Sequence, residues 1–202
     1  MRDCGASGCN RIFAMLNIVY FDLETRRSAA QVGGWHETAK MGMSVGVTFS
    51  TKDNAYHIYT QEQAEALIEE LRGADLVVGY NHINFDYGVL QAFTFWTVAD
   101  VTRNLDICAD LSAKLGHRLK LDSVAKVTLG GNSKTAEGTD ALKWWAEYEE
   151  TGDAEKLMDI ARYCCFDVKV TMEVYKFGAE HGYVLYEDKK GETVKIEVDW
   201  KL

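Results

Sequence analysis

The sequence predicts an α/β fold: a mixed β-sheet with helices on both faces, ending in a β-hairpin. Three observations lead there. Apolar stretches at residues 43–50 and 54–60, separated by the turn TKDN, read as two hairpin strands that follow an earlier apolar strand at 17–25. From residue 61 onward, short apolar runs alternate with segments of helical periodicity, and hairpin strands followed by such alternation indicate a mixed sheet. Residues 183–200, YVLYEDKKGETVKIEVDW, form two extended segments about the turn DKKG.

Taken in order, NIVYFDLETRR (17–27) opens as a strand, and RRSAAQVGGWHETAK (26–40) is polar and glycine-containing, so a loop is expected. The strands MSVGVTFS and NAYHIYT follow, then QEQAEALIEELRG (61–73), an amphipathic helix closed by Gly73. ADLVVGY (74–80) is a buried strand, and NFDYGVLQAFTFW (84–96) has helical spacing of apolar residues. NLDICADL (104–111) is a short strand turning into a helix, and LDSVAKVTLGG (121–131) is a helix with a glycine stop. DALKWWAEYEETG (140–152) is another, followed by a long helix or helix pair over 153–181. No internal repeat or low-complexity linker interrupts the pattern.

A chain of 202 residues, 47% hydrophobic, is long enough to bury one substantial core. One domain over residues 17–202 is expected, with residues 1–16 a loose extension, because the strand pattern begins only at Asn17. The net charge of −9 argues against nucleic-acid binding through a broad basic face, but not against a nuclease whose metal ions bring local positive charge. Five cysteines without a C-x-x-C pair suggest neither a disulfide framework nor a zinc site, so a reducing cytoplasm is the expected setting. No apolar run approaches the length of a membrane span.

The first strand poses the functional question. Side chains alternate along a strand, so Asp22 and Glu24 share one face, above Ile18 and Tyr20. Two carboxylates held together beside an apolar core need a cation between them. VVGYNHINFDYGVL leaves a strand and enters a helix at Asp86, and the carboxyl ends of strands are where open α/β sheets build their sites. In ARYCCFDVKVTMEVY, Tyr163 and Asp167 are four apart on a helix and therefore on one face. Four acids and a tyrosine result.

FDLET, GYNHINFDYGVL and YCCFDVKVT, in that order, resemble the three motifs of the DEDD superfamily, the DnaQ-like 3′→5′ exonucleases, which share a ribonuclease H-like three-layer fold. The Y-x-x-x-D spacing resembles the DEDDy branch. The second and third motifs are similar to those of family B DNA polymerase proofreading domains. LDSVAKVTLG with Lys134, and the ending GYVLY…VDW, resemble stand-alone bacterial nucleases of this group, some of which occur with helicases, so a helicase or another nucleic-acid-processing protein is an implied partner. The resemblance implies that Asp22, Glu24 and Asp167 hold one Mg²⁺ or Mn²⁺ ion. It further implies that Asp22 bridges to a second ion, that Asp86 supports that ion through water, and that Tyr163 orients the attacking water. Two such ions, roughly 3.5–4 Å apart, clamp the attacking and leaving oxygens of a phosphodiester. A tyrosine hydroxyl stays protonated at neutral pH, which suits positioning rather than base chemistry. The implied reaction releases nucleoside 5′-monophosphates from the 3′ end of single-stranded DNA or RNA.

Each residue also has a plainer reading: a D-x-E pair is commonly a solvated strand end, Asp86 alone fits a helix N-terminus, and Tyr163 alone fits packing. The conjunction of three ordered motifs favours the enzyme. Leu23 and Phe85 lie next to the acids and could touch the terminal base, although both suit core packing, and Lys134 could reach a phosphate. Trp144 and Trp145 read as the covered face of a helix, and the five histidines show no ligand spacing. The competing expectations are a catalytically silent nucleic-acid or protein-binding module of the same fold, and an endonuclease.

Overall fold

The computed structural model describes residues 16–131 and 138–201. Five strands form the main sheet: β1 (Ile18–Thr25), β2 (Met43–Ser50), β3 (Ala55–Tyr59), β4 (Leu76–Gly79) and β5 (Asn104–Asp106), in the order β3-β2-β1-β4-β5. The first three are antiparallel neighbours, while β4 and β5 run parallel to β1. The mixed sheet expected from the sequence is therefore present. So is the C-terminal hairpin, β6 (Tyr183–Glu187) paired with β7 (Thr193–Glu197), whose turn is pinned by the Asp188 carboxylate accepting the Lys190 and Glu192 N–H groups.

Among the described residues, seven α-helices are distributed over the two faces: α1 (Ala29–Val32), α2 (Ala64–Arg72), α3 (Asp86–Leu90), α4 (Ile107–Leu115), α5 (Leu121–Thr128), α6 (Gly138–Thr151) and α7 (Ala154–His181). Alternation along β1 divides the core in two. Tyr20 joins Val45, Val47 and Val78 beneath α4 to α7, whereas Val19, Phe21 and Leu23 pack with α2 and α3. Helix α7 is one continuous 28-residue element, capped at its start by Asp153, and it crosses β1, β2 and β4. Among the described residues, no helix is long and apolar enough to cross a membrane.

Two expectations are corrected. Residues 26–40 are not all loop: Ser28 and Gln31 form a capping box that opens α1, and a 3₁₀ turn follows at Thr38–Lys40. The helix expected over 84–96 stops at Leu90, continues as a 3₁₀ turn to Phe93, and ends where Thr94 turns extended and Gln91 Nε2 donates to the Thr94 and Trp96 carbonyls. A further 3₁₀ turn, Val98–Val101, carries no helical periodicity of its own.

The C-terminal segment is locked onto α7 through a close approach. A Cβ at Gly178 would collide with the Trp200 ring, which is buried and donates its Nε1–H to Asp110. Gly178→Ala is expected to lower stability by about 1–3 kcal/mol, as overpacking of a close-packed core does, with the loss read as a fall in the thermal midpoint.

Candidate active site

Strand β1 outruns its parallel neighbour, since β4 ends at Gly79 opposite Phe21 and leaves residues 22–25 without a strand on that side, paired to β2 on the other. The carboxyl end of the central strand is thereby open, at the point where the sheet changes from antiparallel to parallel. Asp22 and Glu24 project from it on the face covered by α7. Asp167, from the middle of α7, meets them: one oxygen from each of the three carboxylates lies within 4.8 Å of the others. Such a donor set, all oxygen and all anionic, fits a hard divalent cation such as Mg²⁺ or Mn²⁺ and fits a thiophilic ion poorly.

Asp86 is not part of that trio. It is buried at the start of α3, and its Oδ1 accepts the Leu23 N–H at 3.1 Å, satisfying a strand amide that β4 is too short to reach. Burial pushes this carboxyl up to about 7, against the opposing effect of the Asp86 and Leu23 N–H groups, and the charge of Asp106 adds to the rise. Leu23 itself packs in the α2-side core, so its contribution here is the backbone N–H, not its side chain. Phe85 is half-buried beside Asp86. Lys134 lies outside the described residues. Tyr163 is buried one turn before Asp167, with the Trp144 ring edge-on to it at 6.3 Å, so α6 buttresses the tyrosine. Trp145 is buried in the same core, as a covered helix face requires.

Three contributors had no clear signal in the sequence. Asp106 caps α4 through the Ala109 N–H and also accepts the Asn81 and Ile83 N–H groups at 2.8 and 3.1 Å, anchoring the loop that delivers Phe85 and Asp86. Its position at a strand-to-helix junction was the only available hint. The buried Cys164 thiol donates to the Asp22 carbonyl and Oδ2 at 3.4 and 3.5 Å. Burial pushes that thiol well up, and the charges of Asp22, Glu24 and Asp167 push it the same way, so it stays a neutral donor. Trp35, from the loop after β1, lies 6.0 Å from the Phe85 ring.

A profile of the RNase_H superfamily matches residues 19–177, a span that runs from β1 through Asp167 and into the C-terminal part of α7. The chain belongs to the RNase_H superfamily. A solved structure of the family B DNA polymerase from the hyperthermophilic archaeon Pyrobaculum calidifontis matches this RNase_H superfamily chain with a TM-score of 0.57 at 16% identity. The match covers 81% of this chain and 24% of the polymerase chain. The likeness is one of fold, and the chain spans about a quarter of the polymerase. No curated protein matches in sequence. Membership of the RNase_H superfamily supports a nuclease-type function on DNA or RNA, and the carboxylate trio is compatible with the divalent ions such nucleases use.

Proposed function

We propose that this protein is a metal-dependent 3′→5′ exonuclease of the DEDDy branch, acting on single-stranded nucleic acid and releasing nucleoside 5′-monophosphates. The observation that carries the reading is the meeting of Asp22, Glu24 and Asp167 oxygens within 4.8 Å at the open end of β1. These three residues would hold the first ion, with Asp22 shared with a second and Asp86 supporting that one through water. Bound ions supply the positive charge that a phosphodiester needs on its attacking and leaving oxygens. The chain's own residues do the rest. Asp86 ties down the Leu23 amide and so fixes the strand between Asp22 and Glu24. The Cys164 thiol restrains one oxygen of Asp22. Tyr163, held against Trp144, orients the attacking water, and its hydroxyl needs no deprotonation for that role.

The test is incubation of single-stranded DNA and RNA, labelled at either end, with Mg²⁺ or Mn²⁺. A ladder that shortens from the 3′ end is expected. Internal cuts would identify an endonuclease, and intact strands with both ions a binding module. Tyr163→Phe is expected to cut turnover by up to about a hundredfold with metal affinity unchanged, because only the positioning of water is lost. Single-turnover kinetics beside calorimetric metal titration checks this, and a collapse of metal affinity would assign Tyr163 another role.

A further inference from the structure

The segment between β1 and β2 is a closed, internally bonded excursion. Its two ends are paired by Arg26 N–H to the Gly42 carbonyl and Arg27 N–H to the Met41 carbonyl, at 3.0 and 3.1 Å. Inside, the Ser28–Gln31 capping box, Gly34 N–H to the Ala29 carbonyl and Glu37 N–H to the Gly34 carbonyl hold successive turns. The far side docks on α3, where Gly88 lacks the Cβ that would collide with the Thr38 hydroxyl. A loop restrained at so many points presents its apex in a set position. That apex is Trp35, 74% exposed, its ring tilted at 60° to Phe85 with centroids 6.0 Å apart. Phe85 adjoins Asp86, Asp86 holds the Leu23 amide, and Leu23 stands between Asp22 and Glu24. The exposed indole thus lies against the residue that precedes Asp86, whose carboxylate holds the amide between Asp22 and Glu24.

An indole with three-quarters of its surface in water contributes little to the core, and most large apolar side chains here are buried. We propose that Trp35, with Phe85, forms a stacking platform for the unpaired bases at the 3′ end of the substrate strand. This rests on the reading of the site as a single-strand nuclease and names how that site selects an unpaired end. Aromatic faces hold single strands without regard to sequence, because every base has a π-face. Exposed Arg27, at the foot of the same loop, brings positive charge to the phosphates that follow. The excursion therefore selects for ends whose bases are free to leave a duplex.

The experiment compares wild type with Trp35→Ala and Trp35→Phe, on fluorescein-labelled oligothymidylate and oligoadenylate and on the same strands carrying abasic residues at their last two 3′ positions. Fluorescence anisotropy in EDTA measures binding without cleavage, and steady-state kinetics with Mn²⁺ measures KM and kcat. Trp35→Ala should weaken binding and raise KM about tenfold on strands with bases, with kcat within about twofold, and Trp35→Phe should retain most of the affinity. On abasic ends, wild type and Trp35→Ala should coincide. Equal affinity of wild type and Trp35→Ala for strands with bases overturns the platform, as does an equal penalty on abasic ends or a wild type that binds no strand. The binding arm stands whatever the cleavage assay returns, so failure of the nuclease reading and failure of the platform are told apart.

Discussion

Asp22→Ala and Asp167→Ala are each expected to lower phosphodiester hydrolysis by at least about a thousandfold, equivalent to about 4 kcal/mol of transition-state stabilisation, while leaving a folded protein. Both carboxylates belong to the trio whose oxygens lie within 4.8 Å, and among the described residues no further acid joins that group. Asp86 is committed to the Leu23 amide, and Asp106 to the amides of Asn81, Ile83 and Ala109. Circular dichroism establishes the fold, and product ladders establish the loss. Unchanged turnover in either purified variant would remove the trio from the catalytic machinery.

The same cluster should be visible in stability. Three carboxylates within one ion's reach, beside a buried thiol and an apolar core, repel one another when no cation is present. Asp22→Asn removes one charge and keeps an acceptor for the Cys164 thiol, so it is expected to melt higher than wild type in EDTA. Millimolar Mg²⁺ or Mn²⁺ should reverse the order. An ion that binds only the native state adds RT ln(1 + [L]/Kd), about 2.7 kcal/mol at a hundred times its dissociation constant, and the variant forfeits most of that gain. Thermal scans of both proteins with and without metal decide it. A variant that melts lower in EDTA and responds to metal as wild type does would make Asp22 a structural hydrogen-bonding residue. Such a gain on removing a charge is the signature of a site kept for binding at some expense in stability.

Much of this was legible in one dimension because the patterns involved are local. The period of two along β1 put Asp22 and Glu24 on one face, the four-residue spacing put Tyr163 and Asp167 on another, and the hairpins declared themselves by their turns. The helix assigned to 84–96 fell short for an equally local reason: apolar spacing does not show that Gln91 will cap the carbonyls beyond Phe93. The capping box at Ser28 and Gln31 was present in the sequence but masked by the glycines that follow it.

By itself, then, the sequence determined the class of fold, the order of its elements and which carboxylates share a face, since each of these depends on neighbours a few positions apart. Only the tertiary structure decided which groups meet. Asp167 joins Asp22 and Glu24 because α7 crosses β1 at that turn, while Asp86 is drawn aside because β4 ends opposite Phe21 and does not reach the Leu23 amide. The Cys164 thiol reaches Asp22 across 142 residues, and Trp35 reaches Phe85 only because the excursion after β1 folds back onto α3. Periodicity reports which way a side chain points from its own element. What it points at depends on strand lengths and helix crossings set by packing of the whole core, and no local pattern carries that information.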